Sequence, residues 1–218
     1  MKKKKLFTSV EGLTVITPSK WLADLVSKSF LKKYQVNVIN NGIDTSVFTQ
    51  KYSDIHSKYN IPNNKKIILG VSNFWDSTKG LNDFLELSKI ISDEYIITLI
   101  GHYPKNLNKD NYPNICFIEQ TDSITSLVEI YSSAYVLFNP TYEDNYPTVN
   151  LEAQACGTPV ITYKTGGSPE SVPSENVVEQ GDLSSVLDMI VNKKLEVSKM
   201  DFSKEFNFKK YIELYELM

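Results

Sequence analysis

Residues 66–101 read KIILGVSNFWDSTKGLNDFLELSKIISDEYIITLIG, and the fold follows from how this stretch is parsed. KIILGVS (66–72) is a β-branched apolar run with no polar face, the pattern of a strand covered on both sides. NFWDSTKG is a polar loop. In LNDFLELSKIIS, Leu81, Phe84, Leu85, Leu87 and Ile91 recur at helical spacing and face inward. EYIITLIG (94–101) is a second doubly buried strand. Strand, loop, helix and strand in this order make a βαβ unit.

The unit repeats toward the C-terminus. NICFIE (114–119) and AYVLFNP (134–140) are strands separated by the helix SITSLVEIYSS. A helix opens near Pro147, which suits its first position, and leads to strand PVITY (159–163). NVVEQ (176–180) is a last short strand, before helices at about 182–193 and 203–217. Toward the N-terminus, LTVIT (13–17) is a strand. Ser19 caps a helix KWLADLVSKSFLKK, whose Trp21, Leu22, Leu25, Val26 and Phe30 share one face. VNVIN (36–40) is a short strand, and Asn41-Gly42 marks a turn. The pattern predicts an α/β protein, a Rossmann-like doubly wound parallel sheet with helices on both faces. Ligands of such sheets sit at the carboxyl ends of the strands, here 72–80, 101–104, 118–122, 139–148 and 163–170. The segments before residue 48 do not join this sheet in any obvious way and read as the end of a preceding domain plus a linker.

Composition excludes several classes. A 41% hydrophobic content over 218 residues supports a sizeable core, and a net charge of -3 argues against a globally basic nucleic-acid binder. Every one of the 23 basic residues is Lys, so bidentate Arg contacts to phosphate are unavailable. Cys116 and Cys156 read as free buried thiols, with no Cys/His spacing of a zinc site. No apolar run reaches the length of a membrane span. Lys2 to Lys5 read as a solvated tail that offers a contact to anionic lipid.

Three places carry candidate chemistry. Lys79-Gly80 opens a helix after a strand end, where free amides and a cation suit phosphate; a solvent-exposed Lys before a turn is the other reading. In TYEDNYPTVNLEAQACGTPVIT (141–162), Thr148 and Val149 offer free amides at a helix start, and Glu152 lies one turn after Thr148 on the same face. Glu152 has small or apolar neighbours and needs a hydrogen-bonding partner; vicinal hydroxyls of a ribose or sugar fit, and so does simple helix capping. TGGSPES (165–171) places two glycines after a strand, either for close approach to a ligand or for a tight turn.

Taken together, TPSKWLADLV (17–26), NGID (41–44), ILGVSNFWDSTKGLNDFLELSKII (68–91), the 139–163 block, TGGSPESV (165–172) and YIELYELM resemble the C-terminal part of family 4 glycosyltransferases of the GT-B fold. The chain is most similar to bacterial polysaccharide and lipopolysaccharide transferases, including those of colanic-acid type. The resemblance implies an acidic residue, seven residues and then Glu, matched by Asp144 and Glu152, with Glu143 one residue out of register. By that similarity Glu152 binds the ribose of a nucleotide-sugar, and Asp144 or Glu143 binds the donor sugar, next to Asn145. The amides of Thr148 and Val149 face the diphosphate with Lys79. The segment Ile118 to Thr121, including Glu119, lines the base, and Gly166 and Gly167 approach the donor. Relatives often place an Arg ahead of the Lys; Asn73 stands in that neighbourhood here. The family usually retains anomeric configuration without a divalent metal, and this chain has no Asp-x-Asp, the metal motif of the other large glycosyltransferase fold. No cofactor is expected.

The resemblance also divides the chain. Residues 1–45 match the end of the N-terminal, acceptor-binding domain plus a linker, 46–200 the donor domain, and 201–218 the helix that crosses back onto the first domain. The expected function is donor binding for transfer of a sugar to a saccharide or lipid-linked acceptor in cell-surface polysaccharide (capsule, lipopolysaccharide) biosynthesis. The expected place is the cytoplasm, peripheral to the inner membrane. A chain with this content is expected to transfer poorly alone and to meet a separate N-terminal domain or a second copy of itself. The alternative is a non-catalytic nucleotide-binding module that needs a partner chain, and a phosphorylase or epimerase of the same fold fits the motifs less well.

Overall fold

The computed structural model describes residues 2–217, with side chains from residue 4. Two parallel sheets are present. The first pairs β1 (Thr14–Thr17) with β2 (Gln35–Val38), Thr14 opposite Gln35, with α2 (Lys20–Ser27) between them in sequence. The second has six parallel strands. Its elements in order are α3 (Ile55–Lys58), β3 (Lys66–Phe74), α4 (Leu81–Ile90), β4 (Tyr95–His102), β5 (Ile115–Ile118), α5 (Ile124–Ser133), β6 (Val136–Asn139), α6 (Thr148–Ala155), β7 (Val160–Tyr163), β8 (Val177–Val178) and α7 (Leu183–Asn192). The strand order is β5-β4-β3-β6-β7-β8, the doubly wound order with its reversal between β3 and β6. Helices α1 (Lys2–Thr8) and α8 (Lys204–Glu216) stand at the two ends of the chain.

The apolar runs are continuous because each strand serves two cores. Ile68, Ile97, Leu99, Phe138 and Tyr163 point into one core with Phe84 of α4 and Ile190 of α7. Ile67, Leu69, Ile96, Leu137 and Val160 point into the other, with Val128 and Tyr131 of α5 and Ala153 of α6. The period-2 alternation of strands thus separates two apolar sets rather than apolar from polar. All five inward residues expected on the helix after β3 are buried. Phe84 sits at the centre of its core, with its ring edge-on to Trp75 at 5.4 Å and to Phe138 at 5.2 Å.

The N-terminal region departs from expectation in three ways. The lysine run is not a loose tail but part of α1. The helix is held at its C-terminal end by Tyr34, whose hydroxyl donates to the carbonyls of Phe7 and Val10, and by Lys33, which donates to that of Thr8. Lys4 and Lys5 are exposed, while the side chains of Lys2 and Lys3 lie outside the described residues. The second departure is the length of α2, which stops at Ser27. The Ser29 hydroxyl bonds the Val26 carbonyl and accepts from the Leu31 amide, so side-chain bonds replace the helical ladder. The third is coverage: Leu25 on α2 and Phe30 beyond its end stay exposed. The C-terminal helix likewise leaves Phe206, Phe208, Ile212 and Tyr215 in solvent. That helix is fastened to the linker by a bridge between Ile43 and Ser203 and by the Lys204–Asp44 ion pair.

Truncating Phe84 leaves Gly70, Trp75 and Phe138 facing a void. Phe84→Ala is expected to lower unfolding free energy by about 3–5 kcal/mol, read from the urea midpoint at an unchanged slope.

Candidate functional site

A cleft of about 790 Å³ opens at the reversal of the strand order, within the usual range for small-molecule sites. One side comes from the end of β3 and the loop after it, Val71 to Lys79. The other comes from the loop after β6 and the start of α6, Asn139 to Glu152. Phe48 and Leu127 complete the apolar lining with Val71 and Val149.

The loop after β3 is shaped by Asp76. One carboxylate oxygen accepts from the Thr78 amide at 2.8 Å, the Thr78 hydroxyl at 2.7 Å and the Lys79 amide at 3.0 Å. The Thr78 hydroxyl, followed by the Lys79 amide, holds the Asp76 carboxyl below its usual pKa. Gly80 follows in the left-handed region at φ 74°, and a Cβ there would lie 2.3 Å from the Pro140 carbonyl. Only glycine lets the two loops meet. Lys79 is thereby aimed across the cleft, where its ammonium pairs with Asp144 at 3.1 Å. It is the one cation among the described residues lining the cleft. The helix after Lys79 does not offer its first amide as the sequence suggested: Leu81 N donates to the Asp76 carbonyl at 3.1 Å, and Leu81 and Asn82 border a separate, smaller cavity.

The helix aimed at the cleft is α6. Pro147 caps it at φ −71° and ψ 121°, one position earlier than expected, so Thr148 and Val149 are its first helical residues. Their amides have no intrahelical acceptor and sit at the positive end of the helix. Glu152 lies one turn further along. Its carboxylate accepts from the Tyr131 hydroxyl at 2.8 Å and from Thr148. Burial is the larger influence and raises its pKa above the ordinary carboxylate value; these two hydrogen bonds act against the rise. Tyr131 is itself fully buried, and its phenol is pushed well above its ordinary value by that burial and by the Glu152 charge.

The polar residues of α6 form a buried chain with Asn139 and the turn after β7. Asn139 donates to Asn150 at 2.8 Å, Asn150 to the Ser171 hydroxyl at 2.9 Å, and Ser171 to the Ser168 carbonyl at 2.7 Å. Gln154 donates to the carbonyls of Asn150 and Ser171. The side-chain amides of Asn150 and Gln154 are satisfied, and α6 is locked to the turn after β7. That turn also supports Asp144. The Gly167 amide donates to the Asp144 carbonyl at 3.0 Å. A Cβ on Gly166 (φ 56°) would lie 2.0 Å from that oxygen, and one on Gly167 would lie 1.8 Å from the Asn145 carbonyl. From the other side, buried Asp83 accepts from the Tyr142 and Tyr163 hydroxyls at 3.1 and 2.6 Å. These bonds give Tyr142 and Tyr163 packing roles at the edge of the same loop.

Of the residues singled out by sequence, Asn73, Lys79, Asp144, Thr148, Val149 and Glu152 converge on the cleft. Gly166 and Gly167 do not line it; they press on the backbone of Asp144 and Asn145 instead. Glu143 and Asn145 are exposed beside it. Glu119 and Thr121 are also absent from its wall, and Glu119 is taken up by Lys109 at 2.9 Å, which keeps its carboxyl below the usual range. Phe48, Asp76, Leu127 and Tyr131 were missed. The inward face of α5 signals burial of Tyr131, but nothing local announces its bond to a carboxylate two elements later.

The fold and the cleft define a doubly wound α/β domain of the GT-B type. Its chain trace superposes on a glycosyltransferase from Rickettsia africae ESF-5 with a TM-score of 0.81 at 18% identity, covering 99% of this chain and 66% of that one. Anabaena Alr3699/HepE, solved in complex with UDP, matches with a TM-score of 0.74 at 15% identity over 94% of this chain and 64% of that one. Residues 51–194 match the family described as Glycosyl transferases group 1, and the chain belongs to that family. Similar curated proteins include the processive diacylglycerol alpha-glucosyltransferase of Acholeplasma laidlawii, 26% identical over 67% of this chain and 47% of its own length. Another is the capsular polysaccharide biosynthesis glycosyltransferase CapM of Staphylococcus aureus, 24% identical over 76% and 48%. The chain spans about half the length of the curated relatives it matches.

The raised pKa of Glu152 has a consequence for stability. Its ionised form is the disfavoured one in the fold, so it contributes no cost below the ordinary value of 4.5. The cost grows as pH rises through the folded pKa and is constant above it. Glu152→Gln is expected to resist urea better than the natural chain at neutral pH. That advantage disappears when the two are compared below the ordinary glutamate pKa.

Proposed function

We propose that the cleft binds a nucleoside-diphosphate sugar and that the chain is the donor-binding half of a retaining glycosyltransferase of the family 4 type. The observation that carries this reading is the convergence of the free amides of α6, the Lys79 ammonium and the Glu152 carboxylate on one cleft at the strand-order reversal. The α6 amides and Lys79 suit a diphosphate, Glu152 suits the vicinal hydroxyls of a ribose, and Asp144 suits hydroxyls of the sugar. The HepE structures with UDP and with UDP-glucose support the ligand class.

Transfer breaks the bond between the sugar's anomeric carbon and the diphosphate oxygen, which leaves with the electron pair. The acceptor hydroxyl gives up its proton to the departing phosphate oxygen and bonds to the same carbon on the same face. Charge builds on the departing phosphate, where fixed amides and a Lys are most effective. In this reading the neutralising groups are Lys79 and α6, with no divalent ion and no cofactor. The acceptor is a saccharide or a lipid-linked saccharide of a cell-surface polysaccharide. Exposed Lys4 and Lys5 support peripheral contact with the anionic cytoplasmic leaflet. The exposed apolar faces of α2 and α8 favour a second reading, a nucleotide-binding module that works only against a partner domain or a second copy.

Calorimetric titration with UDP, UDP-glucose, GDP and GDP-mannose tests the reading, and absence of binding by all four would sink it. Lys79→Ala is expected to weaken the bound nucleoside diphosphate by roughly one to two orders of magnitude, and EDTA to leave its affinity unchanged. Asp144→Asn frees Lys79 from its competing anion. It should tighten the bare diphosphate while removing the extra affinity that the sugar provides. Sugar transfer to an acceptor by the chain alone would overturn the second reading.

A further inference from the structure

The turn that supports Asp144 has a second side. Glu170, in the short 3-10 turn Ser168–Ser171, sends its carboxylate to the start of α2, 150 residues earlier in the chain. One oxygen accepts from the Lys20 amide and the other from the Trp21 amide, both at 2.8 Å. The Ser19 hydroxyl accepts from the Leu22 amide at 3.2 Å. The first three amides of α2 are therefore satisfied, two of them by a charge from another part of the fold, at the helix end where a negative charge is favoured. Ser19 caps its own helix, as its sequence context suggests, so the Glu170 contact is an addition that local capping does not require.

Between Glu170 and the cleft there is no slack. A Cβ on Gly167 would touch Asn145 on one side and the Ser19 side chain, at 2.8 Å, on the other. A parallel bridge runs beside it: the Asn41 amide donates to the Tyr146 carbonyl at 3.3 Å, and the Asn40 amide to the Pro18 carbonyl at 2.9 Å. The segments 144–146, 166–170 and 18–21 are thus in continuous contact, backbone against backbone at Asp144 and Gly167, while α6 meets the same turn through the side chains of Asn150 and Gln154.

We infer that Glu170 is a positioning residue: it couples the cleft loop carrying Asp144 to the β1–α2–β2 unit, so that occupation of the sugar end of the cleft is felt at the start of α2 beyond whatever the nucleotide end transmits. The inference rests on the reading of the cleft given above. Asp144 meets the sugar, and holding its loop still holds Gly167 and Glu170 still in turn. The nucleotide end, served by Lys79, the α6 amides and Glu152, touches the turn through the side chains of Asn150 and Gln154, and the sugar adds its own effect through Asp144.

The test is hydrogen exchange of the natural chain, followed by mass spectrometry, with UDP against UDP-glucose and GDP against GDP-mannose. Binding is first verified by calorimetry. For the pair that binds, the sugar form is expected to slow exchange in 18–22 by roughly fivefold or more beyond the bare diphosphate, a coupling of ordinary size. Equal protection by the two forms overturns the coupling and leaves the cleft reading intact; binding of neither pair overturns both. Glu170→Gln keeps the shape of the side chain but turns one acceptor oxygen into a donor facing an amide. It is expected to leave the affinity for the bare diphosphate within about twofold while cutting the extra affinity due to sugar roughly fivefold or more. Parallel loss of both affinities would assign Glu170 a merely structural role. Should this variant fail to fold, the exchange comparison on the natural chain decides alone.

Discussion

The contact between two backbones, Gly166–Gly167 against Asp144–Asn145, is the constraint on which the cleft depends. The main chains approach so closely that no side-chain carbon fits between them on the glycine side. The contact sets the height of Asp144 above the sheet, and with it the reach to Lys79. It also fixes where the chain turns into α6, and therefore where the first amides of that helix point. Such precision is held where the loop's backbone is tied from behind, and here it is so tied even though the hydroxyls of Thr165 and Ser168 are buried without a partner. The buried amides of Asn150 and Gln154 and the hydroxyl of Ser171 supply that backing, and Asp83 with its two tyrosines supplies it from the other edge.

The charges of the cleft do not balance one another. One cation faces Asp76, Asp144 and Glu152. Asp76 is spent on shaping its loop, and Asp144 and Lys79 satisfy each other. Glu152 is left with hydrogen bonds but no cation, under burial that opposes its charge. A diphosphate would compete with Asp144 for Lys79, releasing that carboxylate for hydroxyls. Strain and unpaired charge at such a place are the usual cost of a binding site, carried by the stability of the rest of the domain.

How much of this was legible follows from the range of the interactions. The strands and inward helix faces were readable because burial on two sides leaves an unbroken apolar run, and helical burial leaves a 3.6-residue recurrence. The N-terminal region was read less well. Serine side chains at 27–31 compete with the helical ladder, and Tyr34 stabilises a lysine-rich helix that composition alone would leave unfolded. In the cleft, Asp144, Thr148 and Glu152 were visible because they lie within about two turns of one another, and Lys79 because it follows a strand end and precedes a helix. The glycines at 166–167 were visible as a signal, but their role was not: they face backbone, not the cleft.

The sequence by itself determined the βαβ repetition, the search zones at strand ends, and a cation, a helix start and two carboxylates at workable spacing. These are properties of short windows, written in periodicity and residue type. Tertiary structure alone decided that α4, unlike α6, does not open its first amide on the cleft. It also decided that Tyr131 supports Glu152, that Phe48 and Leu127 line the cleft, and that Glu170 joins the cleft loop to a helix 150 residues away. Each of these is a contact between segments far apart in the chain, set by the strand order, and a strand order leaves no mark in any single window of residues.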